Sequence, residues 1–160
     1  MMRLVPATRQ HCLEVASELR PEDEAECRAR FGGGAAEQIV RSWLCSPFCV
    51  AGVDEDGRAL GVCGVSREDA EWWCPWLVGT TELDRRLREL ARLSLLLFPL
   101  LAARFPRMRN VVAAENTRSV RWLARLGFEF YGREYINGCE FLQFRFGEER
   151  GEGLCALLRH

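Results

Sequence analysis

The run Leu77-Val-Gly-Thr-Thr-Glu-Leu-Asp84 has the residue types to hold an anion. Thr80 or Thr81, just ahead of Leu83 and Asp84, is a good helix N-cap. Free main-chain N–H groups and a positive dipole end are therefore expected to point out of the loop at 79–82. A plainer purpose is equally open, because any well-made helix has such an end. Two carboxylates in the first turn, Glu82 and Asp84, stabilise it by ~0.3–1 kcal/mol and would repel a bound polyanion. Asn116 follows a short apolar strand at 110–114 and suits a turn or a helix cap. Other chemistries are excluded. All 22 cations are arginine, which rules out a Walker-type phosphate loop, a Schiff-base lysine and a lysine general base. His11 and Cys12 have no matching acid or amide from which to build a nucleophile. Cys45 and Cys49 are the one close cysteine pair, and with 2 histidines in the chain no zinc site is expected.

The elements that must position these residues are legible in the pattern. Residues 3–7 read as a strand, and Thr8 caps a helix with Cys12, Leu13, Ala16 and Leu19 on one face. Pro21 and the acids at 22–24 start a second helix, which Phe31-Gly32-Gly33-Gly34 breaks; 35–45 is a further helical segment. Strands at 48–53 and 59–65 flank an Asp-Gly turn, and 71–78 is an aromatic-rich strand. A long helix follows at 82–104. Leu83, Leu87, Leu90, Ser94, Leu97 and Leu101 line one face, and Pro99 should kink it or end its regular part. A strand at 110–114, a helix at 118–126 stopped by Gly127, and strands at 128–136 and 139–146 around Asn137-Gly138 complete the order. This is a single mixed α/β sheet flanked by helices. At 160 residues, 48% apolar and 28% charged, the chain has the composition of one globular domain over 1–147, with a polar tail at 148–160. Net charge is −1, so no pull toward nucleic acid or anionic lipid is expected. The apolar run at 93–103 is too short for a membrane span. No signal-peptide pattern opens the chain, and its 8 scattered cysteines read as reduced thiols of a cytoplasmic protein.

Asn116, eleven residues further Gly127, and then Phe128 form the closing signature of the GCN5-related N-acetyltransferase (GNAT) fold, which this chain resembles. Trp76-Leu-Val-Gly-Thr80, the long helix, Arg109-Asn-Val-Val112, Val120-Arg-Trp-Leu123 and Leu126-Gly-Phe128 resemble one branch more closely. That branch is the acetyltransferase-like internal virion proteins of short-tailed phages and prophages. The likeness covers about residues 72–146, with residues 1–66 matching only in element order.

The resemblance implies a single GNAT-type α/β domain with about six to seven strands and acetyl-CoA as cofactor. Trp76, Leu77, Val78, Gly79, Thr80 and Thr81 would lie along its arm and phosphates, with Asn116 on its pantetheine. A small-molecule or protein amine would be the acceptor, Glu71 (or Glu68) the general base, and Tyr131 or Tyr135 a substitute general acid. The sequence departs from the family pattern twice. The phosphate loop has one glycine, and Leu123 stands seven residues after Asn116, where many members carry a tyrosine to protonate the leaving thiolate. Two functions follow: an acyl-CoA-dependent N-acyltransferase with an atypical cofactor loop, or a non-catalytic virion-associated or protein-interaction module. The second would place the chain in a virion if it is phage-encoded.

Overall fold

The computed structural model describes residues 1–147; the expected tail at 148–160 lies outside the described residues. Seven strands form one mixed sheet in the order β1-β2-β3-β4-β5-β7-β6. They are β1 (Arg3–Pro6), β2 (Phe48–Val53), β3 (Ala59–Arg67), β4 (Trp73–Gly79), β5 (Met108–Ala113), β6 (Glu129–Ile136) and β7 (Cys139–Phe146). The helices are α1 (Arg9–Ser17), α2 (Pro21–Phe31), α3 (Ala35–Leu44), α4 (Leu87–Arg104) and α5 (Thr117–Leu126).

Both sheet faces are covered, and strand alternation sorts the core accordingly. On one face Cys12 and Val15 of α1 and Ile39 of α3 pack against Ala51, Val53 and Val62. On the other, Val65, Phe105, Met108, Val112, Leu123, Phe128 and Phe144 form the main cluster, with Met2, Leu60 and Leu83 a smaller one. The three expected strand tryptophans divide between these environments. Trp72 is buried beneath the Arg109 guanidinium, Trp73 meets Phe105 edge-on at 4.8 Å, and Trp76 points to the opposite face, its indole N–H donating to Ser46 Oγ at 2.9 Å.

Two local expectations change. The segment expected to start the long helix is a 3-10 turn over Thr81–Arg86, and regular α-helix begins at Leu87. The Thr80 hydroxyl donates to Leu60 O at 2.9 Å, so no side chain caps that turn. The helix runs through Pro99 to Arg104, the end expected for it. Pro99 is exposed, so water can satisfy the carbonyl one turn back that loses its donor.

Candidate active cleft

The parallel strands β4 and β5 are paired at a single position, Trp73 with Met108, where Trp73 N–H donates to Arg107 O at 2.8 Å. Beyond it the strands diverge into a V. Pro75 suits this edge. N–H and C=O of one extended residue face the same side, and Pro75 O accepts Asn110 Nδ2 across the gap at 2.8 Å. A proline nitrogen facing an open gap forfeits no ladder bond.

Helix α2 crosses the far end of the V and ties both arms. Asp23 Oδ2 accepts Gly79 N–H of β4 at 2.8 Å. Glu26 Oε1 accepts Ala113 N–H of β5 at 3.0 Å and Asn116 Nδ2 at 3.2 Å. Arg30 Nη2 donates to Asn110 Oδ1 at 3.2 Å. These residues recur at helical spacing on one face, as i, i+3 and i+7. The helix buries only Asp23 and Cys27, so its inner face is mainly polar.

The buried Asp23 is paired with the buried Arg20, whose Nε and Nη2 both lie 2.9 Å from Oδ2. Arg20 Nη1 also reaches Asp84 at 3.2 Å, and Arg118 Nη1 reaches the same oxygen at 2.7 Å. Burial pushes the Asp23 carboxyl above its ordinary range, against the pull of Arg20 and of Gly79 N–H. Burial likewise pushes Glu26 up, opposed by the Asn116 and Ala113 hydrogen bonds and by Arg30, and assisted by Asp23. A carboxyl with a raised folded-state pKa contributes most below its unfolded value and loses that contribution as pH rises through the folded value. Glu26→Gln, which keeps an acceptor for Ala113 N–H, is therefore expected to melt higher than wild type at pH 7. Thermal melts should show the difference closing near pH 4; a gap independent of pH would contradict this assignment.

The structure sorts the expected site residues into three groups. Trp76, Leu77, Val78 and Asn116 line one cavity of about 330 Å³ that includes the V. Gly79, Thr80 and Thr81 follow Val78 in the chain but do not line the cavity, and their main-chain donors are spent. Gly79 N–H is on Asp23, Thr80 N–H on Leu60 O at 2.8 Å and Thr81 N–H on Glu18 O at 3.4 Å. The free donors expected at 79–82 are thus bonded within the chain at three of four positions. Glu71 and Tyr131 do not line the cavity. Glu71 is exposed beside Arg107, and Tyr131 is exposed on β6 under the Arg145 guanidinium, 4.7 Å from its ring centre. Asn116 is the cap of α5, its Oδ1 accepting Ser119 N–H at 3.2 Å.

Sequence reasoning missed Arg20, Asp23 and Glu26. Acids at 22–24 read as ordinary first-turn charge. The available signal was that residues 21–31 carry no continuous apolar stripe, so whatever face turned inward had to be polar.

The residues fit the arm of a pantetheine thioester better than its diphosphate. The gap is open and its lining largely apolar. The Trp122 indole N–H is buried without an acceptor among the described residues, on a side chain that lines the cavity. Such a donor costs ~1–3 kcal/mol, which a ligand carbonyl would offset. At the diphosphate end the main-chain donors of residues 79–81 are occupied, and Arg20 and Arg118 share Asp84. Among the described residues no cluster could hold a metal ion, and no helix is long and apolar enough to cross a membrane.

No family model matches the sequence, and no curated protein matches it significantly. Solved structures do. A GCN5-related N-acetyltransferase from Kribbella flavida is 18% identical, with TM-score 0.65 over 92% of this chain and 98% of that one. A GNAT superfamily phosphinothricin acetyltransferase from Sinorhizobium meliloti, in complex with AcCoA, is 16% identical, with TM-score 0.61 over 93% and 90%. A GNAT-family acetyltransferase from Bacillus anthracis is 9% identical, with TM-score 0.62 over 91% and 93%. With the seven-stranded order and the splayed β4–β5 pair, these likenesses give the chain the GCN5-related N-acetyltransferase fold.

Proposed function

We propose that the chain is an acyl-CoA-dependent N-acyltransferase working in the β4–β5 cleft. The observation that carries this reading is the single pairing of those strands, which leaves a gap belonging to a cavity that Asn116 and Trp122 help to line. An acyl-CoA bound there supplies the activated acyl group. Leu77 and Val78 flank its arm, and Asn116 and Trp122 donate to its carbonyl oxygens.

Glu26 is the cavity-lining carboxylate without a close cationic partner, since Asp23 is committed to Arg20. Its raised pKa suits a general base that takes a proton from the acceptor ammonium and frees the neutral amine to attack. That role passes to Glu26 from Glu71, which the fold leaves outside the cleft. The cavity-lining thiols Cys27 and Cys63 hold their protons, pushed up to about 11 and about 12. The leaving sulfur therefore takes its proton from solvent at the mouth, in the absence of a tyrosine at Leu123. One C–N bond forms and one C–S bond breaks; nitrogen gives up two protons between ammonium and neutral amide, one to Glu26 and one to solvent, and solvent returns one to the leaving sulfur.

The spent donors at Gly79, Thr80 and Thr81 favour a second reading, a non-catalytic interaction module such as a phage or prophage virion component. Exposed Leu95, Leu96 and Leu100 on the outer face of α4 would then meet a protein partner. Incubation with acetyl-CoA and, separately, octanoyl-CoA, each with a panel of amino acids, polyamines and peptides, separates the two. One free thiol released per amide formed supports the enzyme; no release above buffer hydrolysis with every amine supports the module.

A further inference from the structure

Helix α4 is the most apolar segment of the chain, yet none of its residues is fully buried. Its inward leucines Leu90, Leu93, Leu97 and Leu101 are only half-buried, and all four line a cavity. The facing wall carries Cys63 and Val65 on β3. Between them lies part of the same cavity of about 330 Å³ that Asn116 and Trp122 also line. Close-packed interiors hold few voids larger than a water molecule, and the whole cavity, the β4–β5 gap included, is of small-molecule size.

Its wall is neutral as well as apolar. The Ser94 hydroxyl is committed to Leu90 O at 2.6 Å, and burial keeps the Cys63 thiol protonated. A charged or strongly polar occupant would lose its hydration there with nothing in return. Continuity with the cleft ties this space to the acyl end of a bound thioester. An acetyl group would leave it empty.

We propose that the space beneath α4 is an acyl-chain site, so that the donor is a thioester of a medium-length aliphatic acid rather than acetyl-CoA. The proposal rests on the acyltransferase reading and names its donor class. Burying each added methylene favours binding roughly fourfold.

Titration with acetyl-CoA, octanoyl-CoA and the uncharged probe octanamide tests it. Octanoyl-CoA is expected to bind at least 100-fold tighter than acetyl-CoA, and octanamide to shift the Trp122 indole N–H resonance. Leu97→Trp, which fills the space from α4, and Cys63→Leu, which fills it from β3, should each reduce the octanoyl-to-acetyl ratio below about fivefold. Thermal melts identify a variant that has lost its fold, and the other then decides. Equal affinity of the two thioesters in wild type, or a preference that survives in the folded variants, overturns the acyl-chain site while leaving the acyltransferase reading intact. Octanamide binding with neither thioester bound leaves the chain site and removes the acyltransferase reading. Failure of all three ligands overturns both.

Discussion

Asp23→Ala is expected to destabilise the protein by about 3–5 kcal/mol, the cost of stranding one partner of a buried ion pair. Arg20 would keep its charge beneath α2 with only Asp84, itself shared with Arg118, for a partner. Gly79 N–H would lose its acceptor as well. At this chain length the melting temperature should fall by roughly 6–20 °C. Asp23→Asn, which keeps an acceptor for Gly79 but removes the charge, should be more stable than the alanine variant. Circular-dichroism melts decide it: a loss below 1 kcal/mol for Asp23→Ala would mean that α2 is not anchored to β4 through this carboxylate.

Glu26→Gln should slow acyl transfer by roughly 10²–10⁴-fold, the usual contribution of a positioned general base. Glutamine can still accept Ala113 N–H, so the loss should appear in kcat with the fold intact. Wild-type rate should rise with pH through a value above the ordinary carboxylate range, because the base acts ionised and burial raises its pKa. That limb should vanish in the variant. The same substitution is expected to raise stability at pH 7, so activity and stability move in opposite directions. A purely structural Glu26 would move both together or leave the pH profile unchanged.

The sheet was legible because its signals are local. Alternation in 128–136 and 139–146, the Asn137-Gly138 turn and the Gly127 stop each depend on a few neighbouring residues. Pro75, whose missing N–H suits an edge, is the one local feature in keeping with the divergence of β4 from β5. The candidate site was less legible because it joins distant segments. Asn116 announces a cap from its own sequence, but nothing near it says that Glu26, 90 positions earlier, will take its amide hydrogen. Thr80 and Thr81 looked like caps over free donors. The acceptors that consume those donors, on Asp23, Leu60 and Glu18, come from other elements that only folding brings there. Glu71 and Tyr131 were assigned through the resemblance, and side-chain direction at strand ends and edges is what such a likeness conveys least.

The most direct measurement follows the Trp122 indole N–H and the backbone amides of Leu77, Val78, Ala113 and Asn116 by NMR during titration with an acyl-CoA. If the β4–β5 gap receives the thioester arm, these resonances shift together and saturate, while amides of β1 and β2 stay in place. No change at millimolar ligand, or shifts confined to surfaces remote from the gap, would contradict the account.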